Sequence, residues 1–284
     1  MATKKDSSTL IELQNLVLWA LEALTRALVP IGGVLCCLDP DDLDLFGAFE
    51  NNSSSPLGLL RQFRSDLSGP GRMQLFTGKE CLDHVAEGAV DGCVTFCALD
   101  SAFENATCCE ALLRRVAGRL RPGCRFFGIC VDSASAWTSI QKEFEARQIG
   151  RSISEKWLET SLRAGGLLRL SIDETTNSYA RAAYGHEFCL GRSDDIENNL
   201  RRGYLVNFAE LVRIAPQYGL VFREALNLRD LWDEFHRPLQ YCEEMRSFYQ
   251  RFPGQQFRPS PAVLDSAIYF STFVIEAVAD PGQR

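Results

Sequence analysis

Residues 91–131 read DGCVTFCALDSAFENATCCEALLRRVAGRLRPGCRFFGICV, and this stretch predicts the centre of the fold. The run 125–131 has almost no polar residue and 91–99 is also strongly apolar, which is typical of strands buried on both faces. Between them, 108–120 has the spacing of an amphipathic helix that stops at Pro122 and Gly123. Strand, helix and strand in this order predict a parallel sheet.

The same alternation continues on both sides of this stretch. A helix over 9–29 ends at Pro30, and it is followed by apolar runs at 33–38 and 72–76 that predict two more strands. Near the end of the chain, 204–222 predicts a helix leading through Gly219 to a strand, and 262–279 predicts a helix and a last strand. We therefore expect an α/β, doubly wound, mostly parallel Rossmann-like sheet. Its ligand crevice should lie at the carboxyl ends of the strands, near 38–44, 77–80, 97–103 and 129–133.

Length and composition are compatible with one large core or with a core that carries an inserted subdomain. The chain has 284 residues, of which 46% are hydrophobic and 24% charged. We divide it into an N-terminal helical segment, 1–30, and a single domain, 31–284, with a small insertion around 150–205. Residues 46–73 contain a predicted helix at 56–67, and they leave open whether a strand is lost there or only loops are shortened.

Net charge and cysteine usage indicate the class of protein and its compartment. A formal charge of -7 argues against a broad basic surface for nucleic acid, so any RNA contact should be local. The eleven cysteines follow no secretory signal, and we interpret them as reduced core thiols of an intracellular protein. No apolar run is long enough for a membrane span, so we expect the cytoplasm or the nucleus.

The chain offers few groups for metal or acid–base chemistry. The acidic cluster 39–44 lacks the glycine and distal glutamate of a calcium loop, and Cys93 with Cys97 lacks the CxxC spacing of zinc sites. We expect no metal and no catalytic triad around the three histidines, His84, His186 and His236.

Asp100 and four phenylalanines each allow a functional and a structural interpretation. Asp100 follows a strand as a general base would, but a capping or surface carboxylate is commoner. A high density of phenylalanine is more often core than a stacking platform for a base. We therefore expect core positions for Phe96, Phe103, Phe126 and Phe127.

Four phrases in the chain carry a resemblance to a known family. They are 90–103 (VDGCVTFCALDSAF), 120–133 (LRPGCRFFGICVDS), 184–190 (YGHEFCL) and 204–222 (YLVNFAELVRIAPQYGLVF). In order and approximate spacing they resemble segments of the mRNA cap (guanine-N7) methyltransferases, and the resemblance covers roughly 10–280. It implies a class I S-adenosylmethionine-dependent methyltransferase fold, which binds the methyl donor at the first strands and the cap guanine opposite.

On the donor side, the positions that the resemblance aligns with the family's ligand contacts have changed. The family's glycine-rich loop falls on 38–44, which contains no glycine, and its donor-contacting lysine falls on Leu21. Bulky side chains and a proline there add volume and remove an amide donor. If the chain binds the donor, the contacts would come from Leu38, Asp39, Asp44 and Phe96.

On the cap side, the family's histidine–tyrosine pair falls on Asp100 and Ser101, and its guanine-reading glutamate falls on Gly203. The family's hydroxyl-bearing aromatic falls on Phe188, and only Phe103 matches the family. Leaving a base edge unpaired in a dry pocket costs about 1 to 3 kcal/mol per neutral group. If the chain binds a cap, the contacts would come from Asp100, Ser101, Phe103 and Phe188.

The turn after the first strand predicts a helix start that is satisfied by its own side chains. Asp39 suits the N-cap and Pro40 the first helical position, and Asp41, Asp42 and Asp44 put negative charge in or near the first turn. An enzyme of this fold offers such a start to its ligand instead.

The first hypothesis is an inactive methyltransferase fold with no cofactor and no catalytic residue. It would serve as a structural, regulatory or RNA-positioning subunit with a protein partner in a capping or cap-binding complex, with no membrane or DNA partner. The alternative is an active, divergent cap methyltransferase that uses S-adenosylmethionine. A methyltransferase for another substrate is a third hypothesis.

Overall fold

The computed structural model describes residues 4–30, 32–39, 74–78, 80–96, 98–138, 157–171, 183–192, 201–236 and 258–279. The predicted helix start at 40–44 and the segment 46–73 lie outside these residues, as does Cys97. The described chain forms two sheets with helices around the larger one.

The larger sheet has six strands in the order β2-β1-β3-β4-β10-β9. They are β1 (Val34–Cys37), β2 (Gln74–Thr77), β3 (Val90–Thr95), β4 (Leu120–Val131), β9 (Leu220–Asn227) and β10 (Phe270–Ala277). The first four are mutually parallel, and β10 is antiparallel to both β4 and β9. One reversed strand next to the edge leaves the other five strands parallel, so the predicted mostly parallel α/β sheet is confirmed.

Helices cover both faces of this sheet because side chains alternate along each buried strand. On one face, Leu35, Val94 and Phe127 pack with α1 (Lys4–Leu28), α5 (Leu228–His236) and α6 (Pro261–Ala267). On the other face, Cys36 and Phe126 pack with α3 (Ala106–Arg119) and α4 (Phe208–Ile214). The sheet is doubly wound, as predicted from the sequence.

A second sheet is antiparallel and has the order β5-β6-β7-β8. Its strands are β5 (Trp157–Ser161), β6 (Gly166–Ser171), β7 (Glu187–Arg192) and β8 (Arg201–Tyr204). These strands fall within the range predicted as an insertion, 150–205. Directly after β8, the Val206 amide donates to the Val131 carbonyl, 3.0 Å away, so β8 ends beside the carboxyl end of β4.

The short helix α2 (Ala98–Ala102) follows β3 at the same end of the sheet. The chain after β8 then forms α4, capped by the Asn207 side chain, which accepts from the Glu210 amide. A 3-10 turn over Ala215–Tyr218 ends at Gly219, whose φ of 70° is left-handed, and β9 begins at the next residue. A residue without a Cβ adopts this conformation at no steric cost, which explains the predicted break at Gly219.

Candidate functional site

The strand order places the expected ligand crevice between β1 and β3. The chain leaves β1 toward β2 on one side and reaches β3 on the other, so the order of strands reverses at this point. In open α/β sheets, ligands bind outside the carboxyl ends of the strands at such a reversal.

Asp39, two residues after the end of β1, spans this crevice and is 1% exposed. One carboxylate oxygen accepts from the Phe96 amide at 2.6 Å. The other accepts from the Thr95 hydroxyl at 3.1 Å and from the Ala98 amide at 3.1 Å. The carboxylate thus joins the end of β1 to the end of β3 and the start of α2. The helix that Asp39 was expected to cap lies outside the described residues.

The other residues predicted on the donor side are buried where the structure describes them. Leu38 lies in the apolar cluster on the α3 and α4 face, and Phe96 in the cluster on the α1 face. The core position predicted for Phe96 is confirmed. Leu21, which aligns with the family's donor-contacting lysine, is also buried on the α1 face. Asp44 lies outside the described residues.

We call the residues that the resemblance aligns with the cap pocket the acceptor side. Among them, Asp100 of α2 forms a buried ion pair with Arg201 of β8. Asp100 is fully buried, so the interpretation as a surface carboxylate is wrong. One of its oxygens also accepts from the Val131 amide at 3.3 Å. Asp100 lies in the helix that follows β3, and its carboxylate contacts the last strand of the second sheet.

Burial raises the pKa of Asp100 to about 7. Arg201 and the Val131 amide act in the opposite direction, because they stabilise the charged carboxylate, and the nearby Asp39 adds to the rise. The cost of removing this carboxylate from water therefore exceeds what its partners return.

Arg201 was not predicted from the sequence, although its guanidinium contacts three elements. Besides Asp100, it donates to the Phe96 carbonyl over 3.4 Å, and its central carbon lies 5.8 Å from the Phe188 ring centroid. Arg201 lies 101 residues from Asp100, and no local pattern marks such a pair. The sequence feature that could have identified Arg201 is its position, two residues before Gly203, which aligns with the family's guanine-reading glutamate.

Phe188 and Gly203 are partners in adjacent strands, β7 and β8. A Cβ on Gly203 would lie 2.8 Å from the tip of the Phe188 ring and 3.2 Å from the Cβ of Asp100. The three residues aligned with the cap pocket on these elements, Asp100, Phe188 and Gly203, are therefore in contact. The space above Gly203 is filled by a phenylalanine ring.

The two remaining predicted cap residues are Ser101 and Phe103. Ser101 is exposed on α2. Phe103 is fully buried and stacks on Tyr184, with ring centroids 5.3 Å apart. Phe126 and Phe127 are also fully buried, so the core interpretation of these phenylalanines is confirmed.

The cysteines that the structure describes are free thiols, and most of them are buried. Burial raises the pKa of Cys109 to about 12 and the pKa of Cys130 well above its usual range, which keeps both in the unreactive thiol form. Across the described ranges, no three histidine, cysteine or acidic side chains are grouped as a metal site would require. His186 packs edge-on against Trp137, with ring centroids 5.8 Å apart. None of the described helices is long and apolar enough to cross a membrane.

The chain is similar in sequence to plant cap methyltransferases. It is 26% identical over 179 residues to an mRNA cap guanine-N(7) methyltransferase 2 of Arabidopsis thaliana, covering 63% of this chain and 48% of that protein. It is 28% identical over 137 residues to the protein of the same name in Oryza sativa subsp. japonica, covering 48% of this chain and 38% of that protein. The chain thus spans less than half the length of these relatives. No protein-family model matches the chain.

Solved methyltransferase structures resemble the chain only distantly. The CcbJ methyltransferase of Streptomyces caelestis has a TM-score of 0.41 and 13% identity, over 94% of this chain and 90% of that one. A methyltransferase of Methanosarcina mazei has a TM-score of 0.41 and 9% identity, over 90% of this chain and 98% of that one.

Proposed function

We propose that the chain is a catalytically inactive, methyltransferase-like subunit of an mRNA capping or cap-associated complex. The observation that carries the proposal is the carboxylate of Asp39, which spans the crevice between β1 and β3. Similarity to plant cap methyltransferases supports the biological setting, and the geometry of the crevice supports inactivity.

The donor side supports the proposal because its backbone donors are already engaged. The amides of Phe96 and Ala98 donate to Asp39, and a ligand would have to displace a buried carboxylate to reach them. The side chains of Leu38 and Phe96 are buried in the two apolar cores. These described groups do not fit S-adenosylmethionine, and we propose that the chain works without it.

The acceptor side supports the same conclusion. Methyl transfer to guanine N7 needs no general base, because that nitrogen carries a free lone pair, so catalysis depends on holding donor and acceptor in line. The groups that would hold the base are replaced by Asp100, Phe188 and Gly203, which pack against one another. A guanine would have to displace Phe188 to lie above Gly203.

A folded chain without a working pocket still offers a surface, and we propose that it binds a protein partner in a capping or cap-binding complex. RNA contact would be local, since the formal net charge is -7. The proposed site of action is the nucleus or the cytoplasm.

The activity test is methyl transfer from labelled S-adenosylmethionine to RNA with an unmethylated guanosine cap. The cap methyltransferase 2 of Arabidopsis thaliana, assayed in parallel, is the positive control. We expect no incorporation above the protein-free background with this chain alone. Turnover by this chain at a rate near that of the control would contradict inactivity.

An active, divergent cap methyltransferase is the second candidate, and the sequence similarity favours it. In that case the chain would use S-adenosylmethionine, held near Leu38, Asp39, Asp44 and Phe96, and Asp39 would have to release its hydrogen bonds. The same labelled assay separates the two candidates.

A further inference from the structure

Three groups on the acceptor side suit a planar cation, and each comes from a different element. Asp100 of α2 supplies a fully buried carboxylate, Phe96 after β3 supplies its carbonyl oxygen, and Phe188 of β7 supplies the face of its ring. Carboxylates and carbonyls accept from a guanidinium, and an aromatic face attracts a cation. The guanidinium of Arg201 contacts all three groups.

Negative charge at this site extends beyond Asp100. Asp39 after β1 is close enough to raise the pKa of Asp100. Asp132 directly follows β4, and Asp100 and Asp132 both raise the pKa of Cys130. Buried carboxylates in a medium of low dielectric favour a cation over a neutral or anionic group. Ligands of this site would therefore carry positive charge.

Arg201 belongs to the strand at one end of the second sheet. Strand β8 is four residues long and is the last strand of the second sheet. The carboxylate, the carbonyl and the ring all belong to segments other than β8, namely α2, the residue after β3, and β7.

We propose that Arg201 is an internal ligand that occupies a preformed site for a planar cation of the guanidinium class on the acceptor side of the crevice. Such a cation takes the place of the side chain when the side chain is absent or withdrawn. This inference goes beyond the proposed function, because it concerns a binding site and requires nothing of the methyl donor.

The test removes the side chain and supplies its head group. In Arg201→Ala, guanidinium chloride at low-millimolar concentration should raise the melting temperature in a saturable way. The rise should be about 2 to 4 °C when guanidinium exceeds its dissociation constant about tenfold. Sodium chloride at the same concentration should not reproduce the rise, and the wild-type chain should not respond, because Arg201 fills its site.

Arg202→Ala is the matched control, because Arg202 is the next residue on β8 and its side chain is 76% exposed. It loses the same charge without emptying the site, so guanidinium should not stabilise it. Adding Asp100→Asn to Arg201→Ala should abolish the response.

A folded Arg201→Ala variant without a saturable response would overturn the proposal, and so would an equal response in Arg202→Ala. If Arg201→Ala does not fold alone, refolding it with guanidinium should restore the far-ultraviolet circular dichroism, and no recovery would also overturn the proposal. Failure here leaves the methyl-transfer result unaffected, so the two claims are tested separately.

Discussion

The crevice contains two buried carboxylates, those of Asp39 and Asp100. In a ligand-binding crevice of this fold, backbone amides and short turns are left open to the ligand. Here Asp39 accepts from the Phe96 amide at 2.6 Å, and Asp100 pairs with Arg201. Asp39 and Asp100 thus engage backbone and side-chain groups at the carboxyl ends of the strands.

Replacing Asp39 with alanine should lower the free energy of unfolding by about 2 kcal/mol, because the buried Phe96 amide loses its acceptor. Chemical denaturation measures this change. Asp83→Ala is the control, since Asp83 pairs with Arg115 at the surface, where its side chain is 55% exposed. That variant should lose less than about 1 kcal/mol. Equal losses in the two variants would contradict the role given to Asp39.

The ion pair predicts a pH dependence. Burial raises the folded-state pKa of Asp100 to about 7. An aspartate raised in this way contributes stability that is complete below its unfolded value of about 4 and is lost as the pH rises through about 7. Arg201 offsets this loss, because it stabilises the charged form.

In Arg201→Met the pKa of Asp100 should rise further, so the unfolding free energy should go on falling above about pH 7, where this contribution levels off in the wild-type chain. The extra slope should be at most about 1.4 kcal/mol per pH unit, the limit for one proton. Denaturation curves at several pH values measure it, with Arg202→Met as the control. Parallel pH profiles would show that Asp100 does not depend on Arg201.

At the scale of elements, the sequence predicts the larger sheet well and the second sheet poorly. Strand β4 is a long apolar run buried on both faces, and periodicity identifies such strands without any partner. Strand β8 reads RRGY and β5 reads WLETS, and neither is long or apolar enough to stand out. The positions of these strands depend on pairing with other segments of the chain. A local sequence pattern contains no information about that pairing.

The candidate site follows the same division. Alignment of the sequence with the family brought Asp100, Phe188 and Gly203 to one place, and the structure puts them in contact. The alignment did not identify Arg201, because its ion pair with Asp100 joins a helix next to the larger sheet to a strand of the second sheet. It also could not place the Asp39 carboxylate across the crevice, since Asp39 and Thr95 lie 56 residues apart.

The packing of β7 on β8 can be tested at Gly203. Gly203→Ala should destabilise the chain by about 1 to 3 kcal/mol, because the new methyl group overpacks a filled space. Its Cβ would lie 2.8 Å from the Phe188 ring, and Phe188→Leu in the same chain should recover part of the loss. Melting curves of the single and double variants measure this coupling.

Gly118→Ala on α3 is the matched control, since nothing lies within 4 Å of its Cβ position. Alanine is favoured over glycine in a helix, so this variant should be neutral or more stable, by up to about 1 kcal/mol. A Gly203→Ala variant as stable as Gly118→Ala would contradict the filled pocket.

At the scale of the whole molecule, the described chain combines a doubly wound, mostly parallel sheet with internal contacts at the carboxyl ends of its strands. The six-stranded sheet separates two apolar cores, one on each of its faces. Asp39 and Asp100, both buried, lie after β1 and in α2, near the carboxyl ends of the parallel strands. Under the proposed function, these contacts close the crevice to a methyl donor.

The most direct measurement of that claim is a calorimetric titration of the full chain with S-adenosylmethionine and with its demethylated product. We expect no binding heat up to millimolar ligand, which corresponds to an affinity weaker than about -4 kcal/mol. Saturable binding of either ligand near the micromolar range, about -8 kcal/mol, would contradict a closed donor crevice.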